Sequence, residues 1–405
     1  MVSMDVRTRI YDKVLADHLG SQRQMAMISG PRQVGKTTTC RRLADVYLNW
    51  DNVDDRALVL RGPSAVAERL GLQRLRTSPP TVLFDELHKF HKWKQFLKGF
   101  FDTYAGQVRI LITGSSRMDV YRRGGDSLMG RYFLYHMHPF TVAEAIRQDP
   151  PEPNRMVRSP RPIPQDDFEA LWTHGGYPEP FVKRDIRFSR RWRGLRMQQL
   201  LREDVRDMTQ IQQLGQLETL AGLLSVRSGR QLTYSNLATE VQTSVDTIRR
   251  WIATLCHLQM GFLVRPWFKN VSRSLRKEPK WFLRDWSAID DPGSRAETFV
   301  ACHLLKAVEG WTDLGLGTFD LGYLRDKGRR EVDFIVVRDG RPWFLVEAKT
   351  GDDTLSPSLE YFQNQLNAPH AFQVVVEADF VKADCFAAKP QPLVVPARTF
   401  LSQLL

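Results

Sequence analysis

The sequence predicts an α/β protein of more than one domain: a parallel sheet comes first, helices follow, and a second α/β domain ends the chain. Three observations lead to this prediction. Short apolar runs alternate with helix-like segments up to about residue 145, a pattern typical of parallel βαβ units. Six prolines then fall within residues 150–164 and indicate a loop or linker, because proline lacks the backbone N–H group. Strand-like runs return after residue 280.

These runs place the individual elements. Strands are predicted at MAMIS, VYLNW, TVLFD and VRILITG, each followed by a segment with helix-like spacing. Between about residues 166 and 260, apolar residues recur three and four positions apart, which predicts helices. The runs YLRD, EVDFIVV and PWFLVEAKT predict the strands of the last domain.

Charge and composition favour a soluble protein with a polyanionic partner. The 405 residues carry a formal net charge of +12, and clustered positive charge attracts polyanions. Basic clusters occur at residues 183–196 and 269–280; each fits either a phosphate-contacting surface or a solvated basic face.

Targeting and redox features point to the cytoplasm. No apolar run approaches the roughly 20 residues of a spanning helix, and the charged N-terminus lacks the features of a secretory signal. We therefore expect a cytoplasmic protein without membrane contact. The four cysteines are far apart and are expected to be reduced structural thiols. They are Cys40, Cys256, Cys302 and Cys385.

The segment GPRQVGKTT matches the pattern of a phosphate-binding loop, after a predicted strand and before a predicted helix. Its glycines let backbone N–H groups curl around phosphate oxygens, the lysine adds positive charge at the β- and γ-phosphates, and the threonine hydroxyl is a ligand for Mg²⁺. The segment therefore predicts a site for ATP and Mg²⁺. The predicted nucleotide-binding residues are Gly30, Pro31, Arg32, Gln33, Val34, Gly35, Lys36, Thr37 and Thr38.

A second element of the same site is predicted at TVLFDELHKF. A buried strand that ends in Asp85 and Glu86 suits a carboxylate that binds Mg²⁺ together with Thr37, followed by one that orients the attacking water. The next strand, in ILITGSSRM, ends in polar groups that can sense the γ-phosphate or position water. We expect this role for Ser115 and Ser116, with Thr113 beside them.

The middle of the chain predicts a winged helix-turn-helix. Leu237 and Val241 belong to a first helix, QTS forms the turn, and a second helix carries Arg249 and Arg250. A strand follows, and the basic cluster at residues 269–280 would lie along the wing. This arrangement is consistent with DNA contact and with a structural lid or an oligomerisation domain, and the basic cluster, which could meet phosphates, favours DNA.

The last domain carries a set of acidic residues around two predicted strands. Glu297 lies in a predicted helix, Asp333 on one strand, and Glu347 and Lys349 on the next. Carboxylates that converge in this way can hold a divalent cation, Mg²⁺ or Mn²⁺, and the lysine can orient or activate water. The set resembles the core of PD-(D/E)xK nucleases, with Gln363 at a helix position where related nucleases often carry glutamine.

Over nearly its whole length, the chain resembles archaeal-type AAA ATPases that carry a poorly characterised C-terminal region. The resemblance rests on GPRQVGKTT, YLNWDN, VLFDELHKFHKWKQFLKGFFD, ITGSSR, SLMGRYFLYHMHPFTVAEA and GGYPEP, in this order. It implies an AAA+ ATPase that assembles as a homo-oligomer, for which a hexameric ring is one form, with nucleotide at subunit interfaces. It also implies an arginine finger: Arg131 is the first candidate, with Arg122 and Arg123 as rivals.

Together these features define four predicted segments and two functional hypotheses. The segments are an AAA+ ATPase core (1–149), a linker and helical lid (150–210), a winged helix-turn-helix (211–280) and a PD-(D/E)xK nuclease-like, restriction-endonuclease-like domain (281–405). The first hypothesis is an ATPase that remodels or translocates DNA, with nuclease activity open. The second is a nucleotide-dependent switch or adaptor whose C-terminal region binds a partner protein.

Overall fold

The chain forms two compact units in a computed structural model that describes residues 7–114, 128–152, 155–204, 213–267, 278–387 and 391–405. One unit contains the residues up to 138 together with 148–150, and the other contains 139–147 together with 151–405. No helix in this described part of the chain is long and apolar enough to cross a membrane.

The first unit is an α/β structure around a parallel five-stranded sheet, as the sequence predicts. The sheet has the strand order β2-β3-β4-β1-β5, and its neighbouring strands run parallel. Its elements are α1 (Ile10–Ser21), β1 (Met25–Ser29), α2 (Lys36–Leu43), β2 (Val46–Asn49), α3 (Val53–Leu60), α4 (Pro63–Arg69), β3 (Thr81–Asp85), α5 (Trp93–Tyr104), β4 (Arg109–Thr113) and β5 (Tyr132–His136).

The central strands of this sheet are apolar because they are buried. Every residue of β1 and β3 is buried, as expected for a parallel sheet covered by helices on both faces. Phe96 and Phe100 of α5 pack against Phe84 of β3. Trp93 at the start of α5 is buried in the same core, so the aromatic residues of HKWKQF hold this helix on the sheet.

Strand order brings the predicted site residues together. Strand β4 lies between β1 and β3, and the carboxyl ends of parallel strands meet at one edge of a sheet, where ligands bind in α/β folds. The phosphate loop follows β1 at this edge, and Asp85 at the end of β3 pairs with Thr113 at the end of β4.

The second unit contains a mixed seven-stranded sheet and most of the helices. Its strand order is β12-β11-β10-β9-β8-β6-β7. Its elements are α6 (Val142–Ile146), α7 (Gln165–His174), α8 (Pro178–Lys183), α9 (Ile186–Gln199), α10 (Leu214–Ser225), α11 (Tyr234–Val241), α12 (Val245–His257), β6 (Gly261–Pro266), β7 (Lys280–Leu283), α13 (Pro292–Asp313), β8 (Phe319–Arg325), β9 (Glu331–Arg338), β10 (Arg341–Lys349), α14 (Pro357–Leu366), β11 (His370–Val375), β12 (Leu393–Pro396) and α15 (Ala397–Ser402).

Helices α11 and α12 form the predicted helix-turn-helix. The turn at residues 242–244 has a left-handed residue, Gln242, at φ 56°. Ser244 caps α12, because its side chain accepts a hydrogen bond from the backbone N–H of Thr247 at 3.1 Å. The antiparallel hairpin of β6 and β7 follows. The parallel pairing of β6 with β8 makes this hairpin the edge of the seven-stranded sheet.

Residues 139–147 belong to the second unit through contacts with helix α13. The backbone N–H of Val142 donates to His303 Nε2 at 3.0 Å, and the ammonium of Lys306 pairs with the carboxylate of Glu144. Burial lowers the pKa of His303 to about 3, so this imidazole stays neutral and can accept the hydrogen bond. The four-part division of the sequence stays a proposal. Its first segment ends at residue 149, whereas these contacts assign residues 139–147 to the second unit.

The four cysteines are free, as expected from their spacing. Cys40, Cys302 and Cys385 are buried. Burial raises the pKa of Cys302 to about 12, so this thiol is neutral at physiological pH and its role is in packing.

Replacing Lys306 with methionine should strongly destabilise the second unit. Both side chains of the Lys306–Glu144 pair are fully buried, and removing one partner of a buried ion pair costs about 3–5 kcal/mol because a charge is left buried. Urea unfolding would measure the loss. The double variant Lys306→Met/Glu144→Leu should recover most of it. A single variant as stable as Lys382→Met, which alters an exposed lysine, would contradict the prediction.

Candidate functional site

The phosphate loop joins β1 to α2 in a conformation that needs its glycines. A Cβ atom at Gly30 would lie 2.2 Å from the carbonyl oxygen of Met137, so no larger residue fits beside the segment that continues β5. Gly35 has φ 101° directly before α2, a left-handed value that glycine adopts without strain. Gln33 is also left-handed, at φ 62°. Helix α2 begins directly after the loop, and the N–H groups at the start of a helix favour the binding of an anion.

Lys36 is the buried cation of this loop. Its Nζ donates to the carbonyl oxygens of Gly30 and Pro31, each at 2.8 Å. Burial lowers the pKa of Lys36 to about 8, against the opposing effect of the nearby carboxylates of Glu86 and Asp85. The ammonium group is thus held inside the loop, where the β- and γ-phosphates of a nucleotide bind in proteins with this motif.

Asp85 stands at the centre of a hydroxyl cluster beside the loop. The hydroxyl of Thr37 donates to its two carboxylate oxygens at 3.2 and 3.1 Å. Thr113 donates to Oδ1, and the hydroxyl of Tyr47 donates to Oδ2 at 2.9 Å. Burial and the hydrogen bond to Asp85 raise the pKa of Tyr47, so it remains a donor. No local pattern marks Tyr47 as a site residue, because its position beside Asp85 depends on the pairing of β2 with β3.

Glu86 follows Asp85 with a left-handed backbone, at φ 55°. Its backbone N–H donates to the carbonyl of Thr113 at 3.1 Å, which ties it to the end of β4. Its carboxylate oxygen Oε2 lies 3.7 Å from His88 Nε2 and 3.6 Å from Lys89 Nζ. A non-glycine residue in this conformation is strained, a feature that clusters at functional sites. The side chain is partly exposed, as a residue that orients water must be.

Arg131 is engaged within its own chain. Its guanidinium makes two hydrogen bonds to the carboxylate of Asp102, at 2.7 and 2.9 Å. A finger for a neighbouring subunit would have to leave this pair, so the role stays a prediction. Ser115, Ser116 and the rival arginines Arg122 and Arg123 lie outside the described residues.

The residues of this site fit a nucleotide and its metal ion. A buried ammonium, a glycine-shaped loop before a helix, and a hydroxyl beside a carboxylate are the groups that bind phosphate and Mg²⁺. Lys36 and the loop from Gly30 to Thr38 would hold the phosphates, and Thr37 and Asp85 would hold Mg²⁺.

The acidic residues of the last domain come together around a lysine. Lys280 Nζ lies 2.9 Å from Glu297 Oε1, 2.6 Å from Glu331 Oε1 and 3.3 Å from Asp333 Oδ1. Burial would lower the pKa of Lys280, but the charges of Asp333, Glu297 and Glu331 outweigh it and raise the pKa. The pKa of Glu297 is raised to about 8 by burial and by the charge of Asp333, because three carboxylates share this one ammonium.

Glu347 and Lys349 pair with each other next to this cluster. Lys349 Nζ lies 3.1 Å from Glu347 Oε1. Burial, followed by the charge of Asp333, raises the pKa of Glu347. Asp333 accepts a hydrogen bond from the backbone N–H of Ala348 at 3.0 Å. Gln363 is buried elsewhere, where its side chain donates to the carbonyl of Ala368 at 3.2 Å.

This arrangement does not fit a divalent cation as it stands. In the part of the chain that the structure describes, no three Asp, Glu, His or Cys side chains are grouped so that they could hold a metal ion. The ammonium of Lys280 already contacts the carboxylates of both Glu297 and Asp333. The predicted metal role of Glu297, Asp333 and Glu347, and the water-activating role of Lys349, remain predictions.

The two basic clusters are only partly on the surface. Residues 268–277 lie outside the described residues, and Lys280, which ends the second cluster, is buried. In the first cluster, Arg193 donates to Ser287 and Arg196 to Tyr177. Three arginines of α9 are exposed: Arg187, Arg190 and Arg191.

Comparison with family models identifies the first unit. Residues 22–146 match the model described as an AAA domain. Residues 165–289 and 292–387 match two models described as domains of unknown function, DUF8612 and DUF4143. Together with the phosphate loop and the parallel sheet, the first match shows that this part of the chain is similar to AAA-type ATPase domains.

Similar proteins extend this comparison without adding a function. The chain is 23% identical over 354 residues to the uncharacterized proteins Rv2008c of Mycobacterium tuberculosis and Mb2031c of Mycobacterium bovis, covering 83% of this chain and 72% of each relative.

Solved structures with similarity include the ORC1 protein of Aeropyrum pernix in complex with DNA, with a TM-score of 0.30 and 16% identity over 72% of this chain and 90% of that one. Cdc6p of Pyrobaculum aerophilum has a TM-score of 0.22 and 14% identity over 63% of this chain and 85% of that one. Both TM-scores lie below 0.5, so these similarities add nothing to the assignment.

Proposed function

We propose that this protein is a Mg²⁺-dependent AAA+ ATPase that acts on DNA. The observation that carries the proposal is the meeting of Lys36, Thr37 and Asp85 at the carboxyl edge of the parallel sheet. These are the cation, the metal-binding hydroxyl and the metal-binding carboxylate that phosphoryl transfer needs in one place.

Each residue has a distinct task in hydrolysis. Lys36 binds the β- and γ-phosphates and offsets their charge, and the backbone N–H groups of the loop hold the phosphate oxygens. Mg²⁺, when bound, neutralises charge that develops on these oxygens. Thr37 and Asp85 fix its position, and Tyr47 and Thr113 orient the carboxylate of Asp85 through their hydroxyl groups. Such hydrogen bonds to a metal ligand set its orientation.

Glu86 orients the attacking water and accepts its proton. Its backbone N–H donates to the carbonyl of Thr113 at the end of β4. Glu86 therefore lies at the edge of the sheet where the phosphate loop lies. Ser115 and Ser116 follow the end of β4 in sequence, and we propose them as further residues that sense the γ-phosphate. Completion of the site by Arg131 or a rival arginine from another subunit would require an oligomer, such as a hexameric ring.

The proposal that DNA is the partner rests on the helix-turn-helix. DNA-binding proteins with this motif place the second helix in the major groove. In α12 the apolar residues Ile248, Trp251 and Ile252 are buried, while Arg249 and Arg250 are exposed. A basic exposed face on a second helix suits contact with phosphates and base edges. The competing interpretation, a structural or oligomerisation role, would use their contacts within the chain: Arg249 Cζ lies 5.2 Å from the centre of the Tyr234 ring, and Arg250 donates to the hydroxyl of Thr247 at 3.2 Å.

Reversing the charge of Arg249 and Arg250 to glutamate should weaken DNA binding and reduce its salt dependence. Each phosphate that the protein no longer neutralises reduces the slope of log K against log salt by about 0.9. Fluorescence anisotropy with a labelled duplex, at several salt concentrations, would measure both effects. The control is Arg341→Glu with Lys382→Glu, the same charge change at exposed positions of the same unit. An equal slope in the two double variants would assign α12 to a structural role.

The ATPase assay separates the two functional hypotheses. An ATPase that acts on DNA should turn over ATP faster with single-stranded, duplex or branched DNA than without it. Turnover that no DNA form changes, together with a protein partner that co-purifies at fixed stoichiometry, would favour the nucleotide-dependent adaptor instead.

We also propose that the last part of the second unit has a restriction-endonuclease-like fold. Supporting this, α13 carries Glu297, and the adjacent antiparallel strands β9 and β10 carry Asp333 and Glu347. Strand β11 then runs parallel to β10 after α14. This unit would contribute DNA binding. The proposal does not include cleavage, because the ammonium of Lys280 lies among these carboxylates.

A further inference from the structure

The carboxylate cluster of the second unit already contains a cation from the chain itself. Lys280 begins β7, the second strand of the hairpin that follows the helix-turn-helix. Its three carboxylate partners come from α13, which carries Glu297, and from β9, which carries Glu331 and Asp333. An ammonium group has three N–H donors, and here each can meet one carboxylate.

The surroundings of Lys280 leave it little freedom to move. Its side chain is only 4% exposed, and its Nζ lies 5.5 Å from the centre of the Tyr323 ring. The loop before α11 covers the cluster from another side: a Cβ atom at Gly229 would lie 2.7 Å from Glu297 Oε2. The backbone N–H of Gly229 donates to the carbonyl of Trp281 at 2.7 Å, which holds this loop against β7.

The distances are those of an ammonium group and not of a metal centre. Nitrogen-to-oxygen separations of 2.6, 2.9 and 3.3 Å fall in or near the range of charge-assisted hydrogen bonds. Oxygen ligands of Mg²⁺ lie at about 2.0–2.1 Å from the ion. An ion bound by Glu297 and Asp333 would take the place of Nζ, so lysine and metal exclude each other.

We propose that Lys280 is the resident cation of this cluster and that it prevents a divalent metal from binding to Glu297 and Asp333. The lysine neutralises part of the acidic charge, and it fastens the β6–β7 hairpin to α13 and β9. In the native chain Glu297 and Asp333 therefore hold the ammonium of Lys280 in place of a divalent metal. This proposal holds whether or not the protein hydrolyses ATP or binds DNA.

Metal-dependent thermal stabilisation tests this proposal. All variants carry Asp85→Asn, which removes the carboxylate proposed for the ATPase metal, and the melting temperature is followed as MnCl₂ is added without nucleotide. With Lys280 in place, we expect no saturable rise. In Lys280→Met, which keeps a side chain of similar length without charge, we expect a lower melting temperature in the absence of metal and a saturable rise with Mn²⁺.

Two controls assign the effect to this cluster. Lys382→Met removes an exposed lysine of the same unit and should behave like the parent protein. Adding Glu297→Gln to Lys280→Met should abolish the response to Mn²⁺. A saturable rise in the parent protein as large as in Lys280→Met, or no rise in folded Lys280→Met, would overturn the proposal.

A second comparison keeps the proposal testable if Lys280→Met does not fold. Glu297→Gln in the presence of native Lys280 should give the same flat response to Mn²⁺ as the parent protein. A saturable rise in the parent that disappears in Glu297→Gln would show that Glu297 binds metal beside Lys280, and the proposal would be wrong.

Discussion

Lys36→Ala should bind ATP at least about tenfold more weakly than the parent protein and lose most of its ATP turnover. Lys36 is the buried cation of the phosphate loop, and a hydrogen bond to a charged group contributes about 1.5–3 kcal/mol. Without it the β- and γ-phosphates would lose the side-chain cation of the loop, and its backbone N–H groups and Mg²⁺ would have to offset their charge. Titration with a fluorescent ATP analogue and a phosphate-release assay would measure the two losses.

The matched control for this variant is Lys98→Ala, which removes an exposed lysine of the same unit. Lys36 also donates to the carbonyl groups of Gly30 and Pro31, so thermal melting should confirm that the loop variant is folded. Affinity and turnover equal to those of Lys98→Ala would contradict the assignment of the nucleotide site.

Glu86→Gln should bind ATP with nearly unchanged affinity and hydrolyse it about 10²–10⁴ times more slowly, the usual contribution of a positioned acid or base. The amide keeps the shape of the side chain but cannot accept a proton from water. Single-turnover hydrolysis would measure the chemical step separately from binding. The control is Glu68→Gln, an exposed residue of the same unit, which should match the parent protein.

A different result would move the role of Glu86 to another residue. Its carboxylate lies near His88 and Lys89, so a variant with wild-type turnover would mean that these contacts are its main function. Loss of binding and turnover together would instead show that Glu86 supports the loop conformation and does not act on water.

The sequence alone determined the parts of the site that are contiguous in the chain. The loop between β1 and α2 is one such part, because its glycines, lysine and threonine follow one another at fixed positions and its conformation needs Gly30 and Gly35. Apolar runs also identified the buried strands β1, β3 and β4. A buried parallel strand needs several consecutive apolar residues, and this requirement is visible locally.

The buried face of the first helix of the helix-turn-helix could also be predicted from the sequence alone. Spacing placed Leu237 and Val241 in the first helix, and both residues lie on the buried face of α11. These positions repeat with the period of a helix, so the sequence reveals which face packs inward.

The tertiary structure decided which charged side chains meet. The sequence placed Lys280 at the end of a basic cluster suited to phosphates, but the folded chain buries it among Glu297, Glu331 and Asp333. Those partners lie on α13 and β9, and no local pattern links them to β7.

The contact between Asp85 and Tyr47 could not be predicted from the sequence either, because Tyr47 lies on the neighbouring strand β2. Periodicity and composition report what a segment buries. The partner of a charge depends on distances of a few ångströms between segments remote in sequence, and these are set only when the sheets and helices pack.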